Sequence, residues 1–172
     1  MVEFKDGIYT LSYGALRAGL SVTEKGTFAV GFMGDITAPP DEKFQWEVKT
    51  LDNGNVTLQN VAHKLYLSYV GIPVAGIPVI GTKDGKEWAL KLLGFSHYML
   101  LTLGGTDENP DFAFSFSWVP PEYPPKTQLV LSTNIAARTL WLMKALEDSL
   151  PPEVPKPPSD KPPVDELPSA SE

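Results

Sequence analysis

Short runs in which apolar and polar residues alternate fill most of the chain. GIYTLSY, NVTLQN, KLYLSY, DFAFSFS and TQLVLS are rich in Tyr, Phe, Val, Thr and Leu and are separated by Gly, Pro, Asn and Asp. A period of two with that composition predicts half-buried strands. WEVKTLDNGNVTLQN is the clearest local unit, because Asn53-Gly54 lies between two alternating segments and is the preferred sequence for a tight primed hairpin turn. WALKLLGFSHYMLLTL repeats the arrangement, with Gly94 to His97 as its turn. One stretch opposes the pattern: RTLWLMKALE, residues 138–147, is made of good helix formers.

FQWEVKTL (44–51) and KEWALKLL (86–93) decide how that stretch is read. All three fit one template: Trp, any residue, an apolar residue, Lys, any residue, Leu. Trp46, Trp88 and Trp141 therefore mark a threefold internal repeat of supersecondary size. Repeat position outweighs helix propensity, so Trp141, Met143 and Ala145 are expected to face one way along a strand and Leu142, Lys144 and Leu146 the other. Gly7-Ile8-Tyr9-Thr10-Leu11 matches Gly54-Asn55-Val56-Thr57-Leu58, the segment after a Trp strand, whereas the third Trp strand has no such follower. The first and last strands are thus expected to pair, which removes exposed sheet edges.

Four strands per repeat gives twelve, expected near 8–13, 18–22, 28–33 and 44–50, then 55–60, 64–69, 77–82 and 87–92, then 97–103, 111–117, 127–132 and 139–145. Twelve strands in three repeats with a Trp in each fourth strand is the pattern of an all-β β-trefoil, a six-stranded barrel capped by three hairpins. It is expected over residues 4–147.

Composition adds a second segment. The 172 residues exceed one compact domain of ~100–150 residues. From Pro151 the chain is Pro, Ser and charge, with little to bury against the entropy of ordering, so residues 148–172 are expected to be a disordered acidic tail. Pro152, Pro155 and Pro158 satisfy the P-x-x-P spacing of ligands for SH3-like grooves, a spacing common in any Pro-rich segment. With 42% hydrophobic residues and no cysteine, stability must come from packing. A net charge of −7 argues against nucleic acid or an anionic membrane as partner. MVEFKDGIYTL lacks the basic and apolar regions of a signal peptide, and no apolar run reaches ~18 residues, so a cytoplasmic or non-classically released monomer is expected.

Catalytic constellations are scarce. His63 and His97 are the only histidines and neither has a second His at ligand spacing. No glycine-rich phosphate loop, G-x-S-x-G elbow or H-E-x-x-H occurs. Asp107, Glu108 and Asp111 lack the spacing of an EF-hand loop and read as a solvated acidic loop. Asn55 heads a formal glycosylation sequon and reads as turn chemistry. No enzyme activity, cofactor or metal is expected. Function should lie on loops held by the barrel.

The stretches DGIYTLSYG and FQWEVKTLDNGNVTL, with a short hairpin and a Pro-bounded segment between them, resemble the mushroom β-trefoil serine protease inhibitors of the cospin and cnispin type. More distantly they resemble the mycocypins, fungal trefoil inhibitors of cysteine proteases. The first resemblance implies a defence protein with an extended, substrate-like loop that places Arg or Lys in the pocket of a trypsin-like protease. In one branch that loop joins the second and third strands, here Thr23, Glu24, Lys25, Gly26 and Thr27, with Lys25 as the primary contact. A cationic side chain meets the carboxylate of such a pocket through a charge-assisted hydrogen bond. Gly26 departs from this scheme: it should loosen the backbone and expose the Lys25–Gly26 bond to cleavage. A second branch uses the loop between the eleventh and twelfth strands, here STNIAARTLW, with Arg138 as candidate; Arg17 is a third basic residue, placed at a strand start.

The mycocypin resemblance implies other loops. YGA (13–15) and GDITAPP (34–40) would block papain-like enzymes, and Asn60 in QNVAH would block asparaginyl endopeptidase. A trefoil lectin is a further reading. Ricin-type lectin repeats carry Gln-x-Trp, but here Gln45 directly precedes Trp46, Glu87 precedes Trp88 and Leu140 precedes Trp141, so the motif is missing three times. Trp118 could still stack on a sugar face.

Overall fold

A computed structural model describes residues 4–103, 113–116, 126–132 and 140–146. The strands are β1 (Gly7–Tyr13), β2 (Leu16–Thr23), β3 (Gly26–Met33), β4 (Gln45–Thr50), β5 (Val56–Asn60), β6 (Tyr66–Ser68), β7 (Ile80–Thr82), β8 (Trp88–Gly94), β9 (His97–Thr102), β10 (Ala113–Phe116), β11 (Lys126–Ser132) and β12 (Trp141–Ala145). They match the twelve expected segments one for one, and a 3-10 turn at Glu42–Phe44 precedes β4.

Antiparallel pairs β1–β4, β4–β5, β5–β8, β8–β9, β9–β12 and β12–β1 form a closed ring of six strands. The remaining strands form the hairpins β2–β3, β6–β7 and β10–β11. These hairpins touch one another through β3–β11, β3–β7 and a bridge from Pro78 to Val130. The fold is a β-trefoil. The division at residue 147 and the tail beyond it lie outside the described residues.

The tryptophans set the register. Each pairs with the first strand of its own repeat: Trp46 with Tyr9, Trp88 with Val56 and Trp141 with Tyr98. Two of them also pair forward into the next repeat, Trp46 with Asn60 and Trp88 with Thr102, while Trp141 reaches β1 through its neighbour Leu142, opposite Ser12. All three indoles are at most 1% exposed. Trp46 Nε1 donates to the Ala18 carbonyl and Trp88 Nε1 to the Leu67 carbonyl, both at 3.1 Å, so the one polar atom of each buried ring is satisfied by the cap hairpin above it. In β12, Trp141 and Met143 are buried and Lys144 is exposed, the alternation of a strand.

The β4–β5 turn differs from expectation. Leu51 N donates to Asn55 O and Gly54 N to Leu51 O, so residues 52–54 make a three-residue connection in place of a two-residue primed turn. Asn53 Oδ1 accepts from Asn55 N and Gly54 takes φ +82°, the side-chain turn and left-handed residue that such a loop requires. The primed geometry occurs instead at β8–β9, where Phe95 (φ 46°) and Ser96 (φ 61°) occupy the corners of a two-residue turn closed by the Gly94–His97 pair.

Gly19 in β2 is a point of close approach between the hairpin and the 3-10 turn before β4. A Cβ there would sit 2.8 Å from the Lys43 carbonyl oxygen and 3.0 Å from a ring carbon of Phe44. The backbone oxygen cannot yield as a side chain would. Gly19→Ala should therefore lower stability by about 1–3 kcal/mol, read as a reduced urea midpoint at unchanged slope.

Candidate functional site

The β2–β3 hairpin is paired along its whole length, from Leu16–Met33 to Thr23–Gly26, which leaves Glu24 and Lys25 as a two-residue tip. Thr23 Oγ1 accepts from Lys25 N at 3.2 Å and donates to Gly26 O at 2.9 Å. Gly26 takes φ +132°, a conformation that L side chains rarely adopt. Thr23, Glu24 and Lys25 are exposed, and Thr27 is half-buried within β3. Glycine here completes a closed turn, where a loosened backbone was expected. The tip is correspondingly too short to lie in an extended, substrate-like form.

Two other polar candidates are buried. Asn60 is 0% exposed; its Nδ2 donates to the carbonyls of Lys43 (2.9 Å) and Gln45 (3.4 Å), and its Oδ1 accepts from His63 N (3.1 Å). It holds the 3-10 turn and the β5–β6 turn together and cannot enter a protease from that position. Arg17 is 8% exposed. Its Nη2 donates to Ile36 O (2.6 Å) and Ala38 O (3.0 Å), and its guanidinium carbon lies 5.8 Å from the centre of the Phe44 ring. It is a clamp on the β3–β4 loop, not a specificity residue. Arg138, Trp118, Asp107, Glu108 and Asp111 lie outside the described residues.

The clamp shapes a second surface. The β1–β2 turn (YGA) and the β3–β4 loop (GDITAPP) are neighbours, joined by Gly34 N donating to Ala15 O at 3.2 Å. With β9 and β12 they border an open hollow of about 410 Å³ lined by Tyr13, Gly14, Ile36, His97, Leu140 and Leu142. Asp35 accepts from the Thr37 hydroxyl (2.6 Å) and amide (2.8 Å), and the hydroxyl bond above all holds its carboxyl below the usual aspartate range. The bonds stiffen the loop beside Ile36.

Other polar groups are engaged in turns. Glu87 accepts from Asn53 Nδ2 (2.8 Å) and Asn55 Nδ2 (3.1 Å), which lowers its carboxyl pKa and occupies the sequon side chain. His97 Nδ1 lies 3.0 Å from Phe95 O. Among the described residues no three His, Cys, Asp or Glu gather where a metal could bind, and no helix is long and apolar enough to cross a membrane.

No family model and no curated protein matches this chain. Solved structures do. A Macrolepiota procera ricin B-like lectin in complex with lactose superposes with TM-score 0.62 at 17% identity, over 81% of this chain and 95% of that one. The Rhizoctonia solani agglutinin superposes with TM-score 0.62 at 16% identity, over 85% and 99%. A designed threefold-symmetric protein, ThreeFoil, gives TM-score 0.61 at 16% identity, over 81% and 99%. At these identities the likeness establishes the trefoil and nothing finer.

The sequence did not single out Phe95. The residue is 98% exposed, on a turn where Gly or Asn is the usual choice. A bulky residue between a bulge glycine and Ser96 was the available signal.

Asn60→Ala should cost about 1–3 kcal/mol, because the Lys43 carbonyl and the His63 amide lose the side chain that pairs them in a buried site, whereas Lys25→Ala should leave the urea midpoint unchanged. Glu87 should titrate below an ordinary glutamate by NMR, and Asn53→Ala should raise it. Its lowered value contributes stability that is present above the ordinary glutamate pKa and fades as pH falls through the folded one.

Proposed function

We propose that this chain is a non-enzymatic protein inhibitor that presents Lys25 to the primary pocket of a trypsin-like serine protease. The observation that carries the reading is the tip itself: a lysine at the end of a fully paired hairpin, its turn fixed by the Thr23 hydroxyl and mounted on a closed barrel. A pocket that ends in a carboxylate is satisfied by a long cation, and a fixed tip reduces the ordering cost of association. Since the tip is not extended, Lys25 acts as an anchor, and the Lys25–Gly26 peptide is not offered to the nucleophile. Glu24 and Thr23 border the contact, and Gly26 and Thr27 support it from below.

One observation favours a second reading. The YGA and GDITAPP loops share a single hollow, the arrangement that block of a papain-like cleft from two adjacent loops would need. Sugar binding is a third reading, supported by the lectin names of two of the solved neighbours and weakened by the threefold loss of Gln-x-Trp.

A panel of trypsin, papain and asparaginyl endopeptidase tests these in one experiment. Trypsin inhibition that Lys25→Ala weakens at least tenfold, with the Lys25–Gly26 bond intact by mass spectrometry after long incubation, is the expected result. Inhibition of trypsin unchanged by Lys25→Ala would remove this tip from the contact. A protein inert toward all three but retained on a glycan array would be a lectin.

A further inference from the structure

Of the chain's five asparagines, Asn53 alone is followed by glycine. That pair is chemically special. A backbone nitrogen that follows an asparagine can attack the side-chain amide carbon, and glycine leaves this nitrogen least shielded because it brings no Cβ to the approach. Asn53 and Gly54 are exposed, and a Cβ built at Gly54 would meet nothing within 4 Å. Space and water are both at hand.

The hydrogen bonds around the pair oppose the attack. Gly54 N, the nucleophile, donates to Leu51 O at 2.8 Å. Asn53 Oδ1 accepts from Asn55 N at 3.0 Å, and Asn53 Nδ2, the leaving group, donates to Glu87 Oε2 at 2.8 Å. Departing ammonia must take up a proton, and an ionised carboxylate accepts hydrogen bonds without a proton to give. The bonds from Asn53 and Asn55 hold the Glu87 carboxyl below the usual glutamate range, so it is ionised at neutral pH. Glu87 is a brake on the leaving group.

The place of this brake gives it structural weight. Asn55 directly precedes Val56 and Glu87 directly precedes Trp88, and Val56–Trp88 is the pair that joins β5 to β8 in the barrel ring. The neighbouring β4–β5 and β8–β9 ladders run the length of their strands, so the ring is thinner at this seam. Asn53 and Asn55 clip it from outside through Glu87, at 2.8 and 3.1 Å.

We propose that Asn53 is a site of spontaneous deamidation, slowed by Glu87, and that its conversion to a carboxylate unclips the β5–β8 seam. Gly54 N gives its proton to solvent and bonds to Asn53 Cγ as the Cγ–Nδ2 bond breaks and ammonia leaves, which closes a five-membered succinimide. Water then adds to one of the two ring carbonyls. Opening at Cγ restores the ordinary backbone with aspartate at position 53, and opening at the other carbonyl leaves an isoaspartyl link with one more backbone carbon. The sum is amide plus water to carboxylate plus ammonium, with nothing oxidised or reduced. Either product sets a carboxylate where a donor faced Glu87, and like charges repel. The isoaspartyl link also lengthens the turn that Leu51 and Asn55 close. The change runs one way, so the seam records the age of the molecule. The proposal is independent of the Lys25 tip.

The test follows Asn53 by peptide mapping and mass spectrometry in the full chain held at neutral pH and physiological temperature, with a free peptide of residues 50–57 as reference. The parent chain should convert, more slowly than the peptide. Glu87→Ala should convert about three- to tenfold faster than the parent, the size of effect that loss of an exposed charge-assisted hydrogen bond supports. Glu87→Gln, which still accepts a bond, should lie between. Hydrogen exchange across β5 and β8 should rise with the extent of conversion and in Asn53→Asp, and stay flat on ageing in Asn53→Ser, which cannot cyclise. Conversion in Glu87→Gln should leave exchange near its starting level, because the glutamine amide can donate to the new carboxylate. Asn53 left intact in both the parent and Glu87→Ala after the peptide has fully converted would overturn the site. Equal rates in those two proteins would overturn the brake, and unchanged exchange in Asn53→Asp would overturn the unclipping.

Discussion

Everything in this molecule depends on three indoles that lie across the lines where strands of the barrel meet. Trp46, Trp88 and Trp141 each pair in register with the first strand of their own repeat, and Trp46 and Trp88 pair onward with the next. An indole is large enough to fill the barrel and carries one donor, which in Trp46 and Trp88 is spent on a carbonyl of the hairpin above. Barrel and cap are therefore not separable layers. Removing one ring would open a cavity in the barrel and orphan a carbonyl in the cap at the same site.

That constraint explains why local preference loses at residues 141–145. Leu, Met, Lys and Ala would be content in a helix, and nothing within the segment forbids one. Only the remote match to residues 46–51 and 88–93 indicates otherwise, and it does so because the strand must deliver a tryptophan to the barrel and a partner to β1. The fold was legible for this reason: a repeat encodes tertiary context three times over. Turn geometry was less so. Asn53-Gly54 promises the tightest hairpin, but Asp52 is drawn into the loop, whereas Phe95-Ser96 accept left-handed angles that their side chains disfavour. Register across the barrel dictates the number of residues in each turn, and sequence adapts to it.

The candidate site was legible only in part, and the reason is burial. Lys25, Arg17 and Asn60 are all polar residues near predicted strand ends. Lys25 falls at a tip, while the other two fall where the chain needs donors for backbone carbonyls that no strand can reach, at Ile36, Ala38 and Lys43. Amino-acid type does not separate a donor facing water from one facing an orphaned carbonyl. Proximity to irregular, Pro-rich backbone such as GDITAPP is the only hint. The β3–β4 loop needed an internal donor, and Arg17 supplies it.

The seam between β1 and β12 has a consequence for biosynthesis. A chain emerging from the ribosome exposes β1 long before β12 exists, so one side of the first strand has no partner until nearly all of the described sequence is made. Non-local pairings of this kind form slowly, and an open edge is a template for other chains in the meantime.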